Sequence, residues 1–186
     1  KETVNIEGAV CAPTLPHNEQ IVMGHGAGGR MSHQLIQKAF VSAFQNPALQ
    51  AGDDAAMLQP VPGMQLSIST DSHVVTPLFF PGGDIGRLAV CGTVNDVAML
   101  GAKPLYLTAG FILEEGLEMS TLQRVITSMQ TAAQEANVQI VAGDTKVVQK
   151  GKADGLYITT AGVGLIPSGT HISGAQAKHG DVIILS

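Results

Sequence analysis

The chain has 186 residues, a formal net charge of -5, 45% hydrophobic residues and 13% charged residues. This apolar content is typical of a folded globular protein and excludes a disordered tail. No cluster of Lys or Arg offers the basic surface that a nucleic-acid backbone requires, so we expect no nucleic-acid partner. No apolar run approaches the roughly 20 residues of a membrane span and no signal peptide is recognisable, so we expect no membrane contact and a cytoplasmic location.

A glycine-rich segment follows the N-terminal residues 1–20, which lack periodicity and predict an irregular arm. We call this segment the glycine loop, and it consists of His25, Gly26, Ala27, Gly28 and Gly29. The apolar stretch 21–23 before it and the helical period of residues 32–44 after it predict a strand, a loop and a helix in that order. Amides that no side chain obstructs, close to a helix N-terminus, suit a phosphate. The alternative is a tight turn in which His25 is a structural histidine.

Two more helices are predicted further along the chain. Asp84 is a suitable N-cap for a helix that ends at Leu100 and is apolar nearly all round, so we expect this helix to be buried. Ser120 and Gln123 have the spacing of a capping box at the start of an amphipathic helix. The apolar face of that second helix comprises Leu122, Val125, Ile126, Met129 and Ala133.

Four apolar segments are predicted to form strands that alternate with these helices. They lie at 66–75, 105–113, 138–142 and 156–166. The alternation favours an α/β sandwich with the helices on one face of a sheet. We expect a domain at 21–166, then a linker from residue 167, and in Val182–Leu185 the first strand of a further domain that is truncated.

Aspartates at turns and element ends are the strongest chemical signal in the sequence. They are Asp53, Asp54, Asp71, Asp96 and Asp144. Asp96 lies within the apolar helix, where an unpaired buried carboxylate would cost several kcal/mol. Two converging carboxylates about 4 Å apart repel by roughly 4 kcal/mol, so a cluster would need a cation such as magnesium. The alternative is that each Asp is an ordinary turn residue.

Four motifs occur in the order of a known family: GDDAAM at 52–57, STDS at 69–72, NDVAMLGA at 95–102 and GDTKV at 143–147. Together they resemble the aminoimidazole ribonucleotide synthetase superfamily of ATP-using enzymes. Longer stretches are similar to one branch, the HypE family of hydrogenase maturation factors. These stretches are HGAGGR at 25–30 and the segments 70–98, 110–117 and 143–151.

The resemblance implies a ferredoxin-like mixed or antiparallel sheet with helices on one face, which dimerises by joining sheets into a β-barrel with ATP near the dimer interface. It also implies ATP-dependent dehydration of a carbamoylated C-terminal cysteine to a thiocyanate, the source of the cyanide ligands of the [NiFe] centre. By the same resemblance, the magnesium ligands are Asp54, Asp71, Asp96 and Asp144, with Asp53, Ser69 and Thr70 nearby. The glycine loop and Gly143 would contact phosphates. Apart from the resemblance, Lys146 lies two residues after Asp144 and could steady a phosphate, but a solvated charge at a strand end is the slightly favoured alternative.

The partners implied are a second copy of the chain, the carbamoyltransferase HypF and the HypC–HypD scaffold complex. The reacting cysteine of the family lies at the end of a second domain, and neither Cys11 nor Cys91 can replace it. We therefore expect this chain alone to bind ATP without turnover. The alternatives are another superfamily member, similar to selenophosphate synthetase or thiamine monophosphate kinase, and a non-catalytic dimerisation or docking module.

Overall fold

A four-stranded mixed sheet is the centre of the structure, a computed structural model that describes residues 20–46, 50, 62–173 and 176–185. Its strands are β1 (Gln65–His73), β4 (Lys103–Glu114), β5 (Gln139–Val148) and β6 (Leu156–Ile166). The order across the sheet is β1-β6-β4-β5, and only the β4–β5 pair is parallel. Two short strands, β2 (Phe79–Phe80) and β3 (Gly83–Asp84), form a separate ribbon.

Three longer helical segments pack with the sheet in the described part of the chain. Helix α1 is a continuous helical segment made of Arg30–Leu35, a π-helical stretch Ile36–Val41, and Ser42–Phe44. Helix α2 is Ile85–Ala98 and helix α3 is Met119–Glu135. In the part of the chain that the structure describes, none of the helices is long and apolar enough to cross a membrane.

Helix α2 begins as the sequence predicts, because the Asp84 carboxylate accepts hydrogen bonds from the amides of Gly86 and Arg87 at 2.7 and 3.1 Å. The expectation that this helix is buried all round is wrong. Only one face is covered, and Leu88, Met99 and Leu100 at its other positions and C-terminal end are 40%, 69% and 45% exposed. The sheet on one side and α3 on another cover the buried face, and among the described residues no further helix or sheet strand covers the exposed positions.

Helix α3 buries the predicted apolar face, but the predicted capping box is wrong. The N-cap is Glu118, without a side-chain cap, and Ser120 already lies in the first turn. Glu118 forms an isolated bridge with Gln20, whose side-chain amide donates to the Glu118 carboxylate at 2.7 Å. This tertiary pairing, which local sequence patterns do not report, fixes the start of the helix.

Two predicted strand boundaries also differ. Ile21 is completely buried but belongs to no strand, since its backbone pairs with the turn residues Gly116 and Leu117 and a 3-10 helix Met23–Gly26 follows. Strand β5 does not stop at Gly143 and continues to Val148, because its parallel pairing with β4 continues over this stretch. Gly143 therefore lies inside an edge strand.

The helices cover one face of the sheet, as predicted for this α/β class. Buried side chains alternate along β4 and β6, and these residues pack with α2 and α3 into one core. No helix of the described residues covers the opposite face, where Leu66 and Ile68 are exposed. Residues 182–185 carry exposed side chains and no regular structure, so their assignment to a strand of a further domain stays a prediction.

Candidate functional site

A cavity of about 280 Å³ lies between the glycine loop, α1 and the strands β4 and β5. Its apolar wall comprises Ile36, Phe40, Phe44, Ala109, Phe111, Ile140 and Ala142. Its other lining residues are His25, Gly26, Gly28, Ser32, Gly143, Asp144, Thr145 and Lys146. The structure thus brings most of the glycine loop to one cavity together with three predicted site residues of β5. An apolar body with a few polar groups at its rim is typical of a small-molecule site.

The glycine loop is docked against β5 and not extended into solvent. Gly26 packs so closely that a Cβ at this position would lie 2.7 Å from the backbone nitrogen of Val147. Gly28 adopts a φ of +75°, and a Cβ at Gly28 or Gly29 would meet no atom within 4 Å. The loop therefore has a packed side at Gly26 and an open side at Gly28 and Gly29.

His25 is buried, and its Nδ1 accepts a hydrogen bond from the Val22 amide at 3.0 Å. In neutral imidazole the other ring nitrogen then carries the hydrogen. This hydrogen bond closes the 3-10 turn Met23–Gly26, which leads into the glycine loop. A structural role for His25 is therefore shown, and a phosphate contact stays a prediction.

The part of the apolar wall that α1 contributes was not predicted from the sequence. Ile36, Phe40 and Phe44 recur at every fourth position of α1, and the π-helical turn aligns them toward the cavity. Phe40 also contacts Phe111 of β4, with ring centroids 4.9 Å apart. π-Helical turns are rare and frequently lie at functional sites. The signal for this wall was present in the four-residue spacing, which we used only to predict a helix.

A second group of predicted site residues, which we call the acidic edge, consists of Ser69 and Asp71 on β1 and Asp96 on α2. Ser69 Oγ donates to Asp96 Oδ2 at 3.1 Å, and the Ser72 amide donates to Asp71 Oδ1 at 2.8 Å. Asp96 is exposed, so the expected cost of a buried carboxylate does not arise. Asp71 Oδ2 lies beside Gly92, where a Cβ would be 3.3 Å away, and Asp96 follows Gly92 by four residues, or roughly one turn of α2.

His73 adjoins the acidic edge and is a buried histidine that sequence reasoning missed. It is 5% exposed, and its Nε2 lies 3.7 Å from Asp71 Oδ2 and has no hydrogen-bond partner among the residues that the structure describes. Burial lowers the pKa of His73, and the Asp71 charge opposes that shift. The imidazole is therefore neutral at pH 7, and its ring packs against Gly92, where a Cβ would lie 3.2 Å from Cε1.

The cavity and the acidic edge lie at opposite edges of the sheet. Asp71, Thr160, Ala109 and Gly143 form one row across the four strands, so Asp71 and Gly143 are separated by three strand spacings, or about 14 Å. Thr70 lies on the opposite side of β1 from Ser69 and donates to the Thr160 carbonyl at 3.0 Å. A single copy does not bring the predicted residues to one point.

Asp53 and Asp54 lie outside the described residues. Within residues 20–46, 62–173 and 176–185, no three His, Cys, Asp or Glu side chains are grouped so that they could hold a metal ion. The donor chemistry nevertheless fits magnesium. The acidic edge offers oxygen ligands, and this ion is commonly held by one or two carboxylates together with substrate phosphates and water.

Comparisons with known proteins give these two groups a context. The chain is 59% identical over 167 residues to the carbamoyl dehydratase HypE of Cupriavidus necator, a match that covers 90% of this chain and 48% of that protein. Its fold superposes on the crystal structure of the hydrogenase maturation protein HypE in complex with ATP with a TM-score of 0.81 and 54% identity, covering 84% of this chain and 46% of the other. It also matches a chain in the crystal structure of a HypE–HypF complex, with a TM-score of 0.61, 53% identity, and 77% and 46% coverage.

The chain spans about half the length of the curated relatives that it matches. A family model, the AIR synthase related protein N-terminal domain, matches residues 52–166. These residues include all four strands of the sheet, α2, α3 and the acidic edge. The chain therefore belongs to the family of AIR synthase related proteins, and the matched region is their N-terminal domain.

Proposed function

We propose that this chain supplies the magnesium-ATP site and the dimer interface of an ATP-dependent carbamoyl dehydratase of [NiFe]-hydrogenase maturation. The observation that carries the proposal is the cavity under the docked glycine loop. It occurs in a fold that superposes on a HypE crystallised with ATP at 54% identity.

The proposed reaction converts the S-carboxamide of a cysteine into a thiocyanate. The amide oxygen attacks the γ-phosphorus of ATP and releases ADP, and the carbon–oxygen bond then breaks as phosphate leaves. The nitrogen loses both hydrogens as protons, so carboxamide and ATP give thiocyanate, ADP and phosphate. Cys91 is half-buried against the core and is no candidate for the reacting thiol. The reacting cysteine belongs to the part of the relatives that this chain does not cover.

The residues of this chain bind and orient the nucleotide. The apolar wall excludes water from one side of the cavity, and the glycine loop would present its amides from Gly29 onward to phosphate oxygens. Asp71 and Asp96 would hold magnesium, with Asp53, Asp54 and Asp144 as further proposed ligands and Lys146 as a phosphate contact. Magnesium, when bound, would neutralise phosphate charge during transfer.

The open face of the sheet supports a homodimer. Leu66 and Ile68 of β1 are 56% and 69% exposed, and they pair in register with Leu165 and Val163 of β6 on the same face. A contiguous apolar surface of this kind is typical of an interaction site. We propose that a second copy covers this face, joins the two sheets into a barrel and brings its own acidic edge to the cavity.

Replacing Ile68 with aspartate should convert the dimer into a monomer, because two charges would be buried across a two-fold interface. Light scattering after gel filtration measures the mass. The matched control is Val74→Asp, since Val74 is 62% exposed and lies beyond the end of β1. An Ile68→Asp protein that stays dimeric at micromolar concentration would contradict the proposed interface.

The proposed partners beyond the dimer are HypF and the HypC–HypD complex, and the proposed location is the cytoplasm. The similarity to a chain crystallised as a HypE–HypF complex supports the first of these partners.

Mass spectrometry of the full-length protein tests the function. With a carbamoylated C-terminal cysteine and magnesium-ATP, the modified peptide should lose the mass of one water. The chain of 186 residues should bind ATP and release no phosphate. A carbamoylated cysteine that persists in the presence of ATP would instead favour another ATP-using member of the superfamily.

A further inference from the structure

Ser32 bridges the two ends of the glycine loop. It lies in the first turn of α1 and is 7% exposed. Its Oγ accepts a hydrogen bond from the Gly28 amide at 2.9 Å and donates one to the Gly24 carbonyl at 3.4 Å. One hydroxyl therefore links Gly24, the residue before the loop, to Gly28 at the tip of the loop.

The tip of the loop needs such a tie. Gly28 is in the left-handed region, and a Cβ at Gly28 or Gly29 would meet no atom within 4 Å, so packing does not hold this side. Gly24 is held by contrast, because it lies in the 3-10 helix Met23–Gly26, whose last residue packs against the Val147 backbone. Because the Ser32 hydroxyl bonds to both Gly24 and Gly28, it holds Gly28 at a constant position relative to Gly24.

The same hydrogen bonds divide the amides of the loop. The Gly28 amide is directed at Ser32 and the Ala27 amide at the Gly24 carbonyl, at 3.4 Å. Neither is then a free donor for an anion, whereas the loop is open at Gly29, where a Cβ would meet no atom within 4 Å.

We propose that Ser32 is a positioning residue of the nucleotide site, whose hydroxyl holds the glycine loop in its phosphate-binding conformation and leaves the amides from Gly29 onward to receive the phosphate. This inference rests on the proposed function. The inference assigns a role to Ser32, which acts through the conformation of the loop. It also separates the Gly28 amide, which bonds Ser32, from the amides that bind phosphate.

The test compares Ser32→Ala with Ser32→Thr in the full-length protein, after thermal melts show that both variants fold. Hydrogen exchange without nucleotide should be faster at the Gly28 amide in Ser32→Ala and restored in Ser32→Thr. Affinity for magnesium-ATP should fall roughly 3- to 10-fold in Ser32→Ala, as expected for one lost hydrogen bond, and recover in Ser32→Thr. Affinity for adenosine, which has no phosphate, should not change in either variant.

The outcomes separate this inference from the function on which it rests. Unchanged Gly28 exchange in Ser32→Ala would overturn the positioning role, and so would an equal loss of ATP and adenosine affinity, which indicates general damage to the cavity. Failure of the wild-type protein to bind ATP would overturn the proposed function, while Gly28 exchange would still report the tie within the loop.

Discussion

Replacing Gly26 with alanine should detach the glycine loop from β5 and lower the free energy of unfolding by about 1–3 kcal/mol. The new Cβ would lie 2.7 Å from the Val147 backbone nitrogen and 2.9 Å from the Val147 Cβ. Neither atom is the end of a flexible side chain, so the loop must move away. Urea denaturation of wild type and variant measures the change, and ATP titration should show weaker binding because the displaced loop no longer covers the cavity.

The matched control is Gly29→Ala, three residues along the same loop. Gly29 has a φ of -96°, which any residue adopts, and its Cβ would enter open space. Its free energy of unfolding should stay within about 0.5 kcal/mol of wild type. Equal destabilisation of the two variants would contradict the division of the loop into a packed side and an open side.

The helices and the class of the fold could be predicted from the sequence, because they depend on patterns within short segments. Asp84 caps α2 as expected, and the apolar positions of α3 are the ones that pack in the core. The element boundaries that depend on contacts between distant residues could not be predicted. The pairing of Gln20 with Glu118 fixes the start of α3, and parallel pairing with β4 extends β5 past Gly143. Neither contact has a signature within a few residues of sequence.

The candidate site likewise has one part that could be predicted from the sequence and one part that could not. The glycine loop and Asp144 do meet at one cavity, which the resemblance to a family of ATP-using enzymes made expected. Asp71 lies on the opposite edge strand, and sequence motifs in their correct order contain no information on strand order. The role of Ser32 depends on two hydrogen bonds across the loop, so only coordinates could reveal it.

Asp71→Asn and Asp96→Asn should each weaken magnesium-dependent ATP binding by roughly tenfold or more, the effect of losing one interaction with a charged group. Isothermal titration of the full-length protein measures this effect. Asp154→Asn is the matched control, since Asp154 is an exposed turn residue that bonds Tyr157. In EDTA the acidic-edge variants should bind ATP no more weakly than wild type, because a carboxylate without its cation only repels phosphate.

The separation of about 14 Å between the acidic edge and the cavity turns this prediction into a test of how the site is assembled. If each site combines the cavity of one copy with the acidic edge of the other, mixing Asp71→Asn with Asp144→Asn subunits creates heterodimers with one intact site. After random exchange of subunits, about a quarter of the sites should recover magnesium-ATP binding. If both groups came from the same copy, every site in the mixture would carry one defect and binding would not recover. Recovery therefore requires that a second copy of the chain completes each site.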